Sequence, residues 1–106
     1  MGDYEVIWDQ AARLKLAKMK EFLETPPREI FKKTKWLLCN QPQHKGDRVT
    51  FPDFDFEDYY WVNINNVIIV YDVVEPKKKV LVDACYYTNT GFALRKFYGE
   101  YDPLDE

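Results

Sequence analysis

Residues 59–87, YYWVNINNVIIVYDVVEPKKKVLVDACYY, constrain the fold more than any other part of this 106-residue chain. Three runs rich in Val, Ile, Tyr and Trp are separated by Asn65-Asn66 and by Glu75-Pro76-Lys77-Lys78-Lys79. β-branched and aromatic side chains suit a pleated, half-buried surface, and short polar breaks between such runs read as turns. The pattern predicts strands over 59–64, 67–74 and 80–87, joined as an antiparallel meander. Asn tolerates positive φ, which a two-residue hairpin turn requires at its central positions.

The first forty residues follow a different period. Tyr4-Glu5-Val6-Ile7-Trp8 reads as a short strand, and Asp9 as the N-cap of a helix from Gln10 to about Leu23. Ala11, Leu14, Met19 and Phe22 recur along it, and its opposite face is lysine-rich. Thr25-Pro26-Pro27 ends this helix and starts another, with Thr25 as N-cap and Pro26 at the first position, where a missing N–H costs little. Ile30, Phe31, Thr34, Leu37 and Leu38 line one face of the second helix, which Pro42 stops. Arg48-Val49-Thr50-Phe51 reads as a strand and Asp53-Phe54-Asp55-Phe56 as a loop or edge strand. Phe92–Tyr98 reads as a short terminal helix or strand. The expected architecture is a single α+β domain over 1–106 in the order β-α-α-β-β-β-β. Its two helices pack on one face of a twisted antiparallel sheet, and its first strand lies beside a late one.

Composition narrows the function classes. Hydrophobic residues make up 46% and aromatic residues 17%, which excludes disorder, and a net charge of -3 exerts no global pull toward nucleic acid. The charge is segregated. Eight basic residues between Arg13 and Lys35 stand against Glu21, Glu24 and Glu29, whereas the end of the chain carries Glu100, Asp102, Asp105 and Glu106. A basic helical face suits a polyanion or an acidic peptide, and it suits equally a face that only water touches. Cys39 and Cys85 have no metal-ligand spacing and are expected to be free thiols of a cytoplasmic protein. No signal peptide, membrane span, phosphate loop or nucleophile motif is present, so neither a cofactor, a metal nor a membrane is expected.

Two clusters carry reactive groups. Gln43-His44-Lys45-Gly46-Asp47-Arg48 gathers the sole histidine, His44, with Lys45 and Arg48 around a glycine. Arg95, Lys96 and Tyr98 lie together near the C-terminus. Cleaving RNA through its 2′-hydroxyl needs a proton acceptor, a proton donor and cations on the phosphate. His44, Lys45, Arg48, Arg95 and Tyr98 are the candidates for that work. Lys96, Tyr86 and Tyr87 are candidates for holding RNA by charge and by stacking. An ordinary surface turn and a docked terminus account for the same residues without chemistry.

The opening strand with its Ala/Leu/Lys helix, the second helix ending Leu37-Leu38-Cys39-Asn40-Gln41-Pro42, and the strand Val67–Val74 with Tyr71 together resemble the RelE/ParE toxin superfamily over about Tyr4 to Tyr98. The resemblance implies the toxin of a bacterial or archaeal type II toxin–antitoxin module, of the kind that stabilises plasmids, with a small antitoxin as partner. It implies either ribosome-dependent mRNA cleavage or, in the ParE-like branch, inhibition of gyrase. It also sets the Arg95–Tyr98 region beside the concave sheet face that takes the ligand. Family members commonly carry an Arg three residues before the strand tyrosine, where this chain has Ile68, and Arg or His at the end of the next strand, where it has Tyr86-Tyr87. A non-enzymatic protein-binding module on the same fold is the alternative.

Overall fold

A computed structural model of the chain describes residues 3–49 and 58–90, with Ala93 and Phe97. Its elements are β1 (Glu5–Trp8), α1 (Gln10–Lys18), α2 (Pro27–Leu38), β2 (Asp47–Arg48), β3 (Tyr60–Ile64), β4 (Val67–Val74) and β5 (Lys79–Tyr87). The meander forms as expected: β3 pairs with β4 and β4 with β5, each antiparallel. Asn65 and Asn66 take φ of 51° and 70° at the tight turn between β3 and β4. The five strands lie in the order β1-β5-β4-β3-β2. β1 does neighbour a late strand, but it runs parallel to β5, so the sheet is mixed rather than wholly antiparallel.

Both helices depart from the sequence pattern, and the buried side of α1 is Ala12 and Leu16, followed by Met19, whereas Ala11, Leu14 and Phe22, expected on that side, are exposed. α1 stops at Lys18 because the Met19 amide bonds back to Leu16, tightening the last turn, and irregular turns carry the chain through Phe22. The Asp9 carboxylate caps the start by accepting from the Ala11 amide at 3.0 Å. In α2 the cap position falls on Pro26, one residue later than expected, with Pro27 the first helical residue. Thr25 is otherwise engaged: its hydroxyl oxygen accepts from the Asn65 side-chain amide at 2.9 Å. That bond ties the entry of α2 to the turn between β3 and β4.

The period-two alternation of β4 sorts two apolar clusters onto opposite faces. Val67, Ile69 and Tyr71 face α1 and α2, where they meet Trp8, Ala12, Leu16, Ile30 and Leu38. Ile68 and Val70 face the other way, with Val49, Ala84, Ala93 and Phe97. A β-bulge falls between Val70 and Tyr71: Val70 opposes Ala84 and Tyr71 opposes Val82, which leaves Asp83 as the extra residue. Cys39 and Cys85 are free thiols. Thr50, Phe51 and the acid–aromatic alternation 53–56 lie outside the described residues.

The 42–48 segment is moored to the sheet from below. The fully buried Tyr71 donates its hydroxyl proton to the Pro42 carbonyl at 2.7 Å. Glu75, just past the end of β4, accepts hydrogen bonds from Tyr4 at 2.8 Å and from the Gln43 side-chain amide. Gly46 allows the close approach: a Cβ there would stand 2.3 Å from the Trp61 carbonyl oxygen and 2.7 Å from the Tyr71 hydroxyl. The nearest atom is backbone and cannot step aside. Gly46→Ala is therefore expected to destabilise the fold by about 2 kcal/mol through forced displacement of the loop. Urea unfolding that shows no loss would mean the loop is not held against β3.

Candidate functional site

Among the described residues, those nominated from the sequence occupy different places. His44 and Lys45 are exposed in and beside the single turn of 3-10 helix Pro42–His44, next to the Glu75 end of β4. Tyr86 and Tyr87 end β5 opposite Ile68 and Val67, at the other end of β4. Eight strand residues separate those ends, or about 24 Å at 3.4 Å per residue. One phosphate cannot touch both groups. Arg48 is exposed, and its guanidinium lies over the Tyr60 ring at 4.9 Å. Tyr60 in turn stacks on Tyr71 at 5.6 Å, on the helix-covered side of the sheet. Arg48 thus does not project over the opposite face, where the resemblance sets the ligand.

Arg95, Lys96 and Tyr98 lie outside the described residues, but their neighbours Ala93 and Phe97 are helical and buried. The Thr90 hydroxyl oxygen accepts from the Ala93 amide at 3.1 Å, in the manner of an N-cap. Phe97 lies 5.3 Å from Trp61 and 5.8 Å from Tyr86, bridging β3 and β5 across the open face.

That face has an acidic end. Tyr59 and Asp83 share a side-chain hydrogen bond, with Asp72 close enough to act on both. Burial, then Asp83, then Asp72 push the Tyr59 hydroxyl up to about 12, so it stays a neutral donor. Burial raises the Asp83 carboxyl; the Tyr59 bond opposes this, and the charges of Asp9 and Asp72 add to it. A carboxyl raised in the folded state binds its proton more tightly folded than unfolded. Its contribution is thus most favourable below the ordinary carboxylate range and is lost as pH rises through the folded value. Asp83→Asn keeps an acceptor for Tyr59 and removes that charge. The variant is expected to melt higher than the parent at about pH 8, with the gap closing toward about pH 4. An equal gap at both values would show that charge is not the cause.

A wide concavity beside β5 was not nominated as a site. β1 covers β5 only from Lys79 to Val82, so among the described residues the outer side of β5 from Asp83 to Tyr87 meets no strand. α1 follows β1 directly and runs alongside that stretch, where the Cys85 thiol bonds to the Ala12 carbonyl at 3.4 Å. Between α1 and the end of β5 opens a groove of about 780 Å3, lined by Lys15, Lys18, Met19, Phe22, Tyr86, Tyr87 and Thr90. Phe22 stacks at a tilt on Tyr87, 5.3 Å between centroids. The Lys15 ammonium sits 3.9 Å over the Tyr86 ring, a cation–π contact. Partial burial lowers the Lys15 pKa, with Cys85 opposing the shift. Sequence reading found Tyr86 and Tyr87 but not the α1 residues beside them. Lys15 and Lys18 come from α1 and Met19 and Phe22 from the turns after it, so no single helical period marked the set.

No metal-binding group of three or more His, Cys, Asp or Glu residues occurs among the described residues. No described helix is long and apolar enough to cross a membrane. No protein-family model matches the chain, and no curated protein matches it. Its fold is similar to solved toxins. The toxin–antitoxin complex RelBE2 from Mycobacterium tuberculosis contains a chain with a TM-score of 0.59 and 17% identity, covering 82% of this chain and 93% of that one. A mutant of the E. coli toxin RelE in the free state superposes with a TM-score of 0.60 at 18% identity, covering 93% of this chain and 97% of that one. Two helices on a five-stranded mixed sheet are the RelE-like fold.

Proposed function

We propose that this RelE-fold chain is the toxin of a type II toxin–antitoxin module, neutralised by a small antitoxin, and that it acts by gripping a macromolecule rather than by cutting RNA. The likeness to a toxin that is solved in complex with its antitoxin supports the partner. One observation carries the choice of mode. Ile68, at the position where the family commonly has Arg, is fully buried among Val70, Ala84, Ala93 and Phe97. Asp72, Asp83 and Tyr59 flank that apolar surface, and carboxylates repel the phosphates that an RNA-cleaving face must neutralise.

The endonuclease reading keeps one favourable observation. Val49, next to Arg48, shares a cluster with Ala93 and Phe97, which flank Arg95 and Lys96. The end of the 43–48 loop therefore lies near Ala93 and Phe97, between which Arg95 and Lys96 stand in sequence. Expression of the chain alone in a bacterial host separates the readings. Gripping predicts growth arrest with intact mRNA, unaffected by Arg48→Ala or Tyr98→Ala; gyrase and the ribosome are the first targets to assay. Ribosome-dependent mRNA cuts, with arrest relieved by both substitutions, would establish the nuclease instead. Normal growth in the presence of folded protein would remove the toxin reading altogether.

A further inference from the structure

We infer that the groove between α1 and the end of β5 is a docking site for an amphipathic helix carrying acidic residues beside its apolar stripe. The inference rests on the toxin reading only for where that helix comes from, since an antitoxin would supply it. The groove's floor and walls are Met19, Phe22, Tyr86 and Tyr87, and Lys15 and Lys18 stand among them. Phe22, in the turns that follow α1, is 56% exposed, whereas most large apolar residues among the described ones are covered. Exposed apolar side chains clustered beside a concavity mark an interaction surface.

Charge selects the occupant. Lys15 and Lys18 line the groove, and the sequence around them is net basic, with Arg13, Lys15, Lys18 and Lys20 against Glu21 and Glu24. A second copy of the chain would bring these lysines against themselves in a two-fold contact, which like-charge repulsion disfavours. The shape selects a helix over a strand. α1 already lies along the outer side of β5, so an added strand has no free edge to pair with there. Lys15 and Lys18 stand one turn apart on α1, and Met19 and Phe22 extend the same wall through the turns that follow it, a trough open along its length to a packed helix.

The experiment is an amide-resolved NMR titration of the full chain with a synthetic peptide of about 18 residues, long enough to hold a helix. The peptide bears Leu at heptad a, d and e positions, Glu beside them and Ala elsewhere; its counterpart carries Lys for Glu. The Glu peptide is expected to shift amides at 15–22 and 86–90, and to bind at least tenfold more tightly than the Lys peptide. Phe22→Glu should weaken it at least tenfold. The double change Lys15→Glu, Lys18→Glu should reverse the preference, so that the Lys peptide binds the better. These side chains lie at the surface, and the spectra themselves report whether each variant is folded. Absence of binding, shifts centred elsewhere, or equal affinity for both peptides would overturn the proposal. So would movement of the same amides on simple dilution, which would assign the groove to a second copy. Peptide binding without growth arrest would sink the toxin reading alone; growth arrest without peptide binding would sink the groove alone.

Discussion

Ile68→Arg, which restores the residue type common in the family, is expected to unfold the protein rather than to create a ribonuclease. Ile68 has no exposed surface and sits near the start of β4, with β3 on one side and β5 on the other. Its side chain packs in the cluster formed by Val49, Val70, Ala84, Ala93 and Phe97. A guanidinium there must either give up its hydration among apolar groups or push Ala93 and Phe97 off the face. Leaving a charge buried without a partner costs about 4 kcal/mol or more, a large share of the 5–15 kcal/mol typical of a whole domain. Ile68→Met nearly conserves volume and should cost less than about 1.5 kcal/mol. Circular dichroism and urea unfolding of the two variants give the comparison. A folded Ile68→Arg protein, with the C-terminal segment still docked, would show that this face accepts cations, and the nuclease reading would regain its footing.

The second large effect is expected at Tyr71. Its ring is fully buried and stacked on Tyr60, and its hydroxyl holds the Pro42 carbonyl. Burial, reinforced by Tyr60 and Asp47, pushes its pKa upward, so it remains a neutral donor at any pH where the protein is used. Tyr71→Ala removes ring and bond together and should cost about 4 kcal/mol. Tyr71→Phe keeps the ring and removes one of the two hydrogen bonds to the Pro42 carbonyl, leaving that of the Lys45 amide, for about 1 kcal/mol. Hydrogen exchange at the His44 and Lys45 amides, which bond to Gln41 and Pro42, should speed up in Tyr71→Phe while β4 and β5 stay protected. Unchanged exchange in the loop would mean that Gly46 packing and the Glu75 bonds suffice without Tyr71.

The strands of the meander, both helices and the turn at Asn65-Asn66 were legible because each is written in a local period or in a local φ requirement. Asp9 capping α1 and Pro42 following α2 belong to the same class. The alternation of β4 announced that Ile68 and Tyr71 face opposite ways, though not that both faces would be covered. The cap of α2 was misplaced by one residue because Thr25 has two possible partners. Its choice of Asn65 depends on a turn forty positions away.

The sequence by itself therefore determined the element order, the α+β class and the sorting of β4 side chains between faces, since a period of 2 is a property of neighbouring residues; the buried face of α1, Ala12 and Leu16 rather than Ala11 and Leu14, was decided by how the helix docks. Only the tertiary structure decided that β1 runs parallel to β5 and is too short to cover it. That mismatch of four residues against nine opens the outer side of β5 to α1 and makes the groove. It also decided that His44, Lys45 and Arg48 stand far from Tyr86 and Tyr87, and that Lys15 reaches Tyr86 across 71 positions of chain. Such meetings are set by how long each strand runs and which edge it leaves bare. Strand pairing is a long-range competition for backbone partners, and no local period encodes its outcome.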